Sequence, residues 1–328
     1  MAYLVNILNP NDPSGGNIFN DEFVSKLQSC GHDVSYKAGK PMAELLKDVP
    51  SRATVIVDSV CFNEVTFDWS SLSMFNPFIL LHMAPTENNL LTIGERERLS
   101  KIEAHVFSSF PVLALGHASI KYVEEKYNIN IKYRIVPNFK IVEFEKRSYN
   151  IVPVKFIAVG SVSKEKGTDL LIESLSKLKN NTWACDIYGP IPSPSFYDEC
   201  IQRINELGLN GLIQFKGFVS QKELQQQYCL ADLLIHASLH ENASIAVKDA
   251  VLVGLPFVIT PTGDFEMYKK MSVGLVSENF GVNSMSNTLN DAIIQYPQLV
   301  SRSKDAREMY KNESNKGLFE ESIKFLLC

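Results

Sequence analysis

The sequence predicts an α/β protein built from two doubly wound parallel sheets. Short apolar segments alternate along the chain with longer amphipathic segments, and strands covered by helices on both faces have this uninterrupted apolar character. The alternation is broken by a polar stretch at residues 145–150 and then begins again. Two such arrays joined by a linker predict two Rossmann-like domains that face a central cleft.

The predicted elements of the first half begin with an N-terminal strand that ends at Asn9-Pro10. Further apolar runs predict strands, and longer amphipathic stretches between them predict helices. The strands are predicted at 53–58, 78–81, 105–108 and 133–136, and the helices at 20–30 and 119–127.

The second half repeats the pattern with stronger strand signals. Its predicted strands are bounded by glycine, proline or polar residues, which commonly mark the ends of apolar strand segments. They lie at 154–160, 184–189, 212–215, 233–236 and 256–260, with a helix at 169–178.

The composition of the chain argues against nucleic-acid binding and against a membrane-spanning helix. Thirty-two Lys and Arg residues against 37 Asp and Glu give a net charge of −5, whereas a protein that grips a nucleic-acid backbone is usually basic. No apolar run approaches the roughly 20 residues of a membrane-spanning helix, and the N-terminus has no leader pattern. The six cysteines form no Cys-x-x-Cys pair. We therefore expect a cytoplasmic protein with reduced thiols that does not bind nucleic acid.

A pair of glycines lies between the first predicted strand and the first predicted helix. Gly15 and Gly16 would let the backbone approach a ligand closely, and a helix N-terminus offers free N–H groups to an anion. A plain flexible turn explains the same residues without a ligand, since no Gly-x-Gly-x-x-Gly or Walker pattern is present.

A second loop, at 160–167, follows the first strand of the second half and leads into a helix. Lys166 in this loop could hold a phosphate through a charge-assisted hydrogen bond. A solvated charged loop is the alternative interpretation.

Two acidic residues, Glu241 and Asp249, are separated by seven residues. A helix is predicted to begin near residue 242. If the chain were helical from Glu241 to Asp249, the two side chains would lie about 80° apart around the helix axis. Carboxylates suit vicinal hydroxyls because each oxygen accepts a hydrogen bond. Surface acids on a helix are the alternative. His236 and His240 have no Cys or third His nearby, so the pattern does not indicate zinc.

The order of these segments resembles that of the retaining glycosyltransferases of family 4, over essentially the whole chain and most strongly from Val154 to Glu266. The second-half signature of that family has a Gly-Arg-x-x-x-x-Lys-Gly loop, a Gly-rich strand end and an aromatic Phe-x-Gly strand. An Ala-Asp strand, two glutamates separated by seven residues, a Gly-x-Pro-Val turn and a Gly-Gly-x-x-Glu loop follow. The segments that correspond here are 160–167, 188–190, 215–218, 231–232, 241–249, 254–258 and 263–266. In the first half the corresponding segments are 14–16, 31–34, His82 and 136–138.

The resemblance implies the GT-B fold, in which the two domains bind different substrates. Residues 1–147 would form the acceptor-binding domain and residues 148–302 the donor-binding domain. The C-terminal segment, 303–328, would pack back on the first domain.

The resemblance also implies a nucleotide-diphosphate sugar, linked to UDP or GDP, as donor substrate. Gly15 and Gly16 would offer backbone N–H groups to the diphosphate, and Lys166 would neutralise it. His82 would touch the donor sugar near the reacting carbon, although a histidine at a strand end is more often structural. Glu241 would hold the sugar hydroxyls.

The remaining donor contacts implied by the family come from three segments of the second half. Asp249 would stand in the place of the glutamate that binds ribose, and backbone at Lys216, Gly217 and Phe218 would read the base. The backbone beside Glu241 would also contact the sugar, through Asn242, Ala243, Ser244 and Ile245.

Two positions depart from the family pattern. Ser161 stands where the family has a phosphate-binding arginine, so one positive charge is missing from the clamp on the leaving group. Asp249 is one methylene shorter than glutamate. Both changes bear on whether the chain has catalytic activity.

The function predicted from the resemblance is transfer of a sugar to an acceptor hydroxyl with anomeric retention. The acceptor would be a glycan or a lipid-linked glycan of surface polysaccharide synthesis, with possible peripheral contact at the inner face of a membrane. No Asp-x-Asp occurs, so no metal or other cofactor is expected. A catalytically inactive glycosyltransferase-like scaffold subunit is the main alternative, and an epimerase on the same fold is a weaker one. The sequence does not specify the oligomeric state.

Overall fold

The computed structural model describes residues 1–11, 14–88, 91–136, 154–179, 182–314 and 317–327. The chain divides into two compact units, Met1–Lys140 with Glu313–Cys328 and Ile141–Asn312. The predicted linker at 145–150 and the predicted boundary at 147–148 lie outside the described residues, as do Pro137 and Asn138 of the segment 136–138.

The first unit contains a six-stranded parallel sheet with the order β2-β1-β3-β4-β5-β6. Its strands are β1 (Ala2–Asn6), β2 (Val34–Ala38), β3 (Thr54–Asp58), β4 (Asn76–Leu81), β5 (Val112–Ala114) and β6 (Tyr133–Ile135). Its helices are α1 (Gly15–Ser29), α2 (Met42–Leu46), α3 (Ile93–Ser109), α4 (His117–Tyr127) and α12 (Gly317–Leu327). Three short 3₁₀ helices lie at Ser59–Asn63, Trp69–Met74 and Pro85–Glu87.

One predicted strand of the first unit is wrong. Residues 105–108 belong to α3, which begins with a capping box between Thr92 and Glu95. The apolar run His105–Ser108 is the last turn of that helix, and Val106 and Phe107 follow the buried Leu99 at helical spacing. The short strands β2 and β5 are absent from the predicted elements. β2 is not an uninterrupted apolar run, whereas β5 lies within the apolar run 110–115, a strand signal that was missed.

The second unit contains another six-stranded parallel sheet, with the order β12-β11-β10-β7-β8-β9. Its strands are β7 (Val154–Val159), β8 (Trp183–Tyr188), β9 (Ile213–Gly217), β10 (Leu233–His236), β11 (Phe257–Ile259) and β12 (Gly274–Val276). Its helices are α5 (Thr168–Ser176), α6 (Pro194–Glu206), α7 (Gln221–Leu230), α8 (Ile245–Val253), α9 (Phe265–Lys270) and α10 (Val282–Ile294). The long helix α11 (Tyr296–Ser314) follows α10 and runs to the end of this unit.

Apolar clusters cover both faces of the second sheet. One contains Phe156, Trp183 and Leu233, and the other contains Ile157, Leu234 and Phe257. Neighbouring residues of a strand therefore point into different clusters, which explains why these strands are uninterrupted apolar runs. The predicted α/β class with two doubly wound sheets is thus confirmed.

Both strand orders reverse direction at one point within the sheet. In the first unit the reversal lies between β1 and β3, and in the second it lies between β7 and β10. Ligands of doubly wound sheets bind beyond the carboxyl ends of the strands at such a switch point. Asp58, at the end of β3, and the segments after β1, β7 and β10, which lead to Gly15–Gly16, Lys166 and Glu241, therefore occupy the position expected of a ligand site.

The C-terminal helix α12 packs on the first unit. Ser322 donates a hydrogen bond to the carbonyl of Ile135 in β6 (3.0 Å). The ring of Phe325 meets that of Phe78 edge-on, with 5.6 Å between centroids.

Candidate functional site

In the first unit, helix α1 begins directly at the two predicted glycines. Ser14 is its N-cap, and the hydroxyl of Ser14 accepts a hydrogen bond from the backbone N–H of Asn17 (3.1 Å). Gly15 and Gly16 therefore occupy the first turn, where backbone N–H groups are not used by the helix itself. An ideal Cβ on Gly16 would lie 3.9 Å from the ring of His82. The structure thus brings the Gly15–Gly16 turn and His82 together.

His82 follows β4 and sits on a buried polar cluster. Its Nε2 lies 3.1 Å from Asn20 Oδ1 and 3.4 Å from Asp58 Oδ2. Asn20 Nδ2 donates to Asp58 Oδ2 at 2.7 Å, and the ring of Phe19 packs edge-on against the imidazole at 5.4 Å. The side chain of His82 is 19% exposed, while that of Asp58 is 3% exposed, so only the histidine reaches the surface.

In the second unit, the loop after β7 is shaped by two glycines. Gly160 has a φ of 154°, and the aliphatic part of Lys166 packs over it. Gly167 has a φ of 63°, and a Cβ there would lie 2.0 Å from the carbonyl oxygen of Ala237. Only glycine permits that approach, which places the loop of Lys166 against the loop after β10.

The two loops meet in an ion pair. Lys166 Nζ donates to Glu241 Oε2 at 2.9 Å, and His236 Nε2 lies 3.2 Å from the same oxygen. The Lys166 and Glu241 side chains are 27% and 19% exposed. An ammonium has three donors, so a bond to Glu241 is compatible with further bonds from Lys166 to phosphate oxygens.

The charges of this pair stabilise each other. Burial raises the pKa of Glu241, but the nearby Lys166 and His236 outweigh this effect and hold the pKa well below its ordinary value. Burial alone would lower the pKa of Lys166. The nearby carboxylate of Glu241 has the larger, opposite effect, so the pKa of Lys166 lies above its ordinary value. Both groups are therefore charged at neutral pH.

Gly263 supports the loop of Glu241 from the other side. A Cβ on Gly263 would lie 2.1 Å from the carbonyl oxygen of Asn242 and 2.9 Å from that of Glu241. The backbone N–H of Asp264 donates to the same Asn242 carbonyl at 2.8 Å. The loop position of Glu241 thus depends on a residue with no side chain.

Residues 242–244 precede α8 rather than forming its first turn. The helix begins at Ile245 with Ser244 as N-cap, whose hydroxyl accepts from Val247 N–H. The helix predicted to begin near residue 242 is therefore wrong by about three residues, and the helical-phase argument for Glu241 and Asp249 does not apply. Asn242 and Ala243 are buried beneath this loop.

Asp249 lies inside the second unit and is 2% exposed. Burial and the charge of Asp249 together raise the pKa of Tyr228 well above its ordinary value. The adjacent Lys248 is also buried, and burial lowers its pKa to about 8 against the opposing charges of Asp264, Glu241 and Asp249. The structure therefore places Asp249 among interior groups behind the loop of Glu241.

The other predicted donor-binding residues lie at the same carboxyl edge of the sheet. Ser161 Oγ is 3.3 Å from Ser163 Oγ, in the loop of Lys166. Lys216 binds Gln214 and Asp186 through its ammonium. Gly217 has a φ of 72° and ends the edge strand β9, and Phe218 follows with 57% of its surface exposed.

A small cavity of about 20 Å³ lies at the carboxyl end of β7, enough for one water molecule. Lys166, His236 and Gly160 line it together with Ser161. The polar end of this cavity is thus formed by residues of the loops after β7 and β10.

Sequence reasoning missed Asp58, Asn20 and the role of His236. Asp58 ends the apolar strand β3, and a carboxylate at the carboxyl end of a buried strand is a signal that could have been used. His236 was considered only as a zinc ligand, whereas it bonds Glu241. Within the described parts of the chain, no group of three or more His, Cys, Asp or Glu residues is placed to hold a metal ion. No helix in those parts has the length and hydrophobicity needed to cross a bilayer.

The fold and these loops define an α/β protein with two doubly wound parallel sheets, and comparison with known families identifies the class. The family model of the glycosyl transferases group 1 matches residues 142–313, more than half of the chain. The chain belongs to this family.

Curated relatives match parts of the chain. The lipopolysaccharide glucosyltransferase WaaG of Escherichia coli is 25% identical over 192 residues, which are 57% of this chain and 48% of WaaG. The α-galactosylglucosyldiacylglycerol synthase of Streptococcus pneumoniae is 27% identical over 189 residues, 56% of this chain and 47% of the synthase. Mannosylfructose-phosphate synthase of Agrobacterium fabrum is 26% identical over 125 residues, 36% and 27% of the two chains. The matches thus span less than half of each relative.

Solved structures match the fold along nearly the whole chain. Sucrose-phosphate synthase from Thermosynechococcus elongatus superposes with a TM-score of 0.84 at 13% identity, covering 99% of this chain and 98% of the other. Anabaena HepE, solved with UDP and glucose, has a TM-score of 0.78 at 14% identity with the same coverage. The WaaG structure has a TM-score of 0.75 at 17% identity and covers 99% of both chains. These similarities confirm the predicted GT-B fold.

Proposed function

We propose that this chain transfers a sugar from a nucleotide-diphosphate sugar to an acceptor hydroxyl, with retention of the anomeric configuration. The observation that carries the proposal is the pairing of Lys166 with Glu241 at the switch point of the second sheet. The half-buried carboxylate of Glu241 can accept hydrogen bonds from hydroxyl groups, and the ammonium of Lys166 beside it can bind phosphate. Membership of the glycosyl transferases group 1 family supports the same activity.

The proposed reaction breaks the bond between the anomeric carbon and the diphosphate oxygen. The acceptor oxygen bonds to the same face of that carbon, and its proton passes to the leaving phosphate oxygen. Lys166 and the N–H groups of Gly15 and Gly16 stabilise the negative charge that develops on the phosphate. The neutralising charge comes from the protein, so the proposal requires neither a metal nor an enzyme nucleophile.

The remaining roles are proposed from position and chemistry. Glu241 accepts hydrogen bonds from the sugar hydroxyls, and His82 contacts the sugar near the reacting carbon. The exposed ring of Phe218 offers a stacking surface for the base, beside backbone of Lys216 and Gly217. Asp249, buried behind the loop of Glu241, acts on the nucleotide through neighbouring groups rather than by direct contact.

The proposed donor is UDP- or GDP-linked. HepE, which shares the fold, was solved with UDP-glucose, so UDP-sugars are the first to test. The proposed acceptor is a glycan or a lipid-linked glycan, since the names of WaaG and of the α-galactosylglucosyldiacylglycerol synthase refer to glycans attached to lipids. We also propose peripheral contact with the inner face of a membrane. We further propose a domain boundary at residues 147–148. Of the predicted C-terminal segment 303–328, residues 303–312 belong to the second unit, where Ala306 is buried in the core, and only the part from Glu313 belongs to the first.

The alternative is a binding or scaffold subunit without turnover. Ser161 in the place of an arginine favours it, because the diphosphate clamp has one charge fewer. Both functions predict nucleotide binding, and only a transferase releases nucleoside diphosphate when acceptor is added.

The experiment is a thermal-shift screen of UDP- and GDP-sugars, because a ligand that binds the folded state raises the melting temperature. A coupled assay then measures release of nucleoside diphosphate from the best donor, with and without a panel of glycan and glycolipid acceptors. Acceptor-dependent release supports the transferase. Binding without release under any acceptor would establish the scaffold function instead.

A further inference from the structure

Two ionisable side chains, Lys166 and His236, are among the described residues that line the small cavity at the carboxyl end of β7. Ser161 lines it as well, with an uncharged hydroxyl. The carboxylate of Glu241 contacts both ionisable groups, since its Oε2 lies 2.9 Å from Lys166 Nζ and 3.2 Å from His236 Nε2. Lys166 and Glu241 carry opposite charges, and histidine is the side chain that ordinarily changes its charge near neutral pH. The net charge of this site therefore depends on His236.

His236 ends β10 and is held in place by the neighbouring strand of the sheet. It lies opposite Ile259 of β11, its carbonyl oxygen accepts a hydrogen bond from Thr260 N–H at 3.1 Å, and it is 6% exposed. The pKa of Glu241 lies well below its ordinary value, so its carboxylate is ionised and only accepts hydrogen bonds. Nε2 of His236 must therefore carry a proton, and a second proton on the imidazole would reside on Nδ1.

Carboxyl groups outnumber ammonium groups around the contact between Glu241 and His236. Besides Glu241 itself, one carboxyl group lies in the loop after β7, one on α8 and one after β11, and the two ammonium groups lie in the loop after β7 and on α8. These groups belong to Glu165 and Lys166, to Asp249 and Lys248, and to Asp264. A bound diphosphate would add further negative charge here, and a nearby negative charge favours the protonated form of an imidazole.

We propose that His236 takes up a proton from solvent when the donor diphosphate binds beside Lys166, and so supplies a second positive charge to the phosphate site. The proposal rests on the proposed function and extends it by naming the group that compensates the added negative charge. Because the coupling between two binding events is reciprocal, donor affinity must be higher at a pH where His236 is protonated and must fall as the pH rises.

The decisive measurement is the number of protons taken up when the donor binds. Isothermal titration calorimetry at pH 7, in buffers that differ in their enthalpy of ionisation, gives this number, with UDP-glucose or the best donor of the screen as ligand. Both phosphates of a nucleotide-diphosphate sugar are diesters that do not titrate near pH 7, so the uptake belongs to the protein. Lys248, whose pKa burial lowers to about 8, is already mostly protonated at pH 7. We expect uptake of a fraction of one proton.

Two variants and a control assign the proton to His236. Glutamine keeps an N–H donor for Glu241 but takes up no proton, so His236→Gln should abolish the uptake and make the Kd nearly constant between pH 6 and pH 8. In the wild type the Kd should rise over this range, by at most about tenfold per pH unit. His105→Gln changes an exposed histidine of α3 and should match the wild type. Ser161→Arg leaves position 236 unchanged and adds a fixed positive charge to the cavity lining, so the uptake should fall.

The outcomes separate this proposal from the proposed function. Donor binding without proton uptake by the wild type would overturn the role of His236 alone, and so would an unchanged uptake in folded His236→Gln. If His236→Gln does not fold, Ser161→Arg decides, and an undiminished uptake in that variant would overturn the proposal. Proton uptake without turnover would support the role of His236 while favouring the scaffold function. Absence of binding by every nucleotide sugar would overturn both.

Discussion

Lys166 and Glu241 are 75 residues apart in sequence, yet their side-chain charges are joined at 2.9 Å. The contact is possible because β7 and β10 are neighbours in the sheet and their following loops meet where Gly167 approaches Ala237. The pair links the two groups to which the proposed reaction assigns the phosphate and the sugar. Removing either charge should therefore affect donor binding or turnover, in ways that differ between the two residues.

Lys166→Ala should weaken donor binding. A charge-assisted hydrogen bond contributes roughly 1.5–3 kcal/mol, so the Kd for the nucleotide sugar should rise at least tenfold by isothermal titration calorimetry. Lys164→Ala, an exposed residue of the same loop, is the control and should bind normally. Equal affinities for the two variants would remove Lys166 from the donor site.

Glu241→Gln should reduce turnover more than binding. Glutamine keeps the size and an acceptor oxygen for Lys166, so folding should persist, while kcat should fall at least tenfold, about 1.4 kcal/mol of transition-state stabilisation. Glu278→Gln changes an exposed glutamate of the same unit and should have no effect. Normal turnover of Glu241→Gln with the true donor would show that the sugar site lies elsewhere.

Gly16→Ala should lower donor affinity without lowering the melting temperature. The added Cβ would meet the ring of His82 at ordinary contact distance, 3.9 Å, and replacing a helical glycine by alanine stabilises by up to about 1 kcal/mol. The melting temperature should hold or rise, while donor affinity falls because the methyl group occupies the space beside the backbone N–H groups.

Gly94→Ala is the matched control, since Gly94 is also the second residue of a helix and a Cβ there would meet nothing within 4 Å. It should bring the same stability gain with no loss of affinity. A wild-type Kd for Gly16→Ala would argue against a diphosphate at this turn.

His82→Ala should lower activity and also cost some stability. Asp58 would lose one of its partners, the imidazole at 3.4 Å, and a buried carboxylate with fewer hydrogen bonds is less stable. Adding Asp58→Asn to His82→Ala should recover part of the melting temperature but none of the activity. The exposed His105→Ala is the control for both measurements. Full activity in the folded single variant would indicate that His82 is structural.

Glu87 should make the free energy of unfolding depend on pH. Burial raises its pKa from 4.5 to about 7, and the nearby Glu103 adds to this, against hydrogen bonds from Ser119 and Ala84. Between these values the folded state binds more protons at Glu87 than the unfolded state does. The contribution of Glu87 to the free energy of unfolding is therefore fully present below pH 4.5 and is lost as the pH rises through about 7. The loss from this group amounts to at most about 3 kcal/mol.

Urea unfolding at pH 5 and pH 8 tests this dependence, with the change in the wild type compared with that in Glu87→Gln. Glutamine has no proton to lose, so the variant should show a smaller fall in stability between the two values. Glu97→Gln, which alters an exposed glutamate of α3, should behave as the wild type does. Identical pH dependence in all three proteins would contradict the assignment.

Apolar periodicity and the residues that interrupt it are enough to predict the fold class and the location of the candidate loops. Apolar runs such as 154–160 and 233–236 specify buried parallel strands because both of their faces are covered, and parallel strands place their following loops at one edge. This is why the Gly15–Gly16 turn, the loop of Lys166 and the loop of Glu241 could be predicted as candidates without a structure. The strand predicted at 105–108 is wrong because a short apolar segment is compatible with a buried helix as well as with a buried strand.

Which polar side chains contact one another is visible only in the folded chain. No spacing along the chain predicts that Lys166 pairs with Glu241, that His236 contacts the same oxygen, or that Asn20 and Asp58 both lie against His82. These contacts join strands and helices that are distant in sequence, and their strength depends on burial, which separates polar groups from water and makes each missing partner costly. The periodic pattern of a sequence specifies which faces of its helices and strands are buried. Hydrogen bonds between loops depend instead on which strands are neighbours in the sheet.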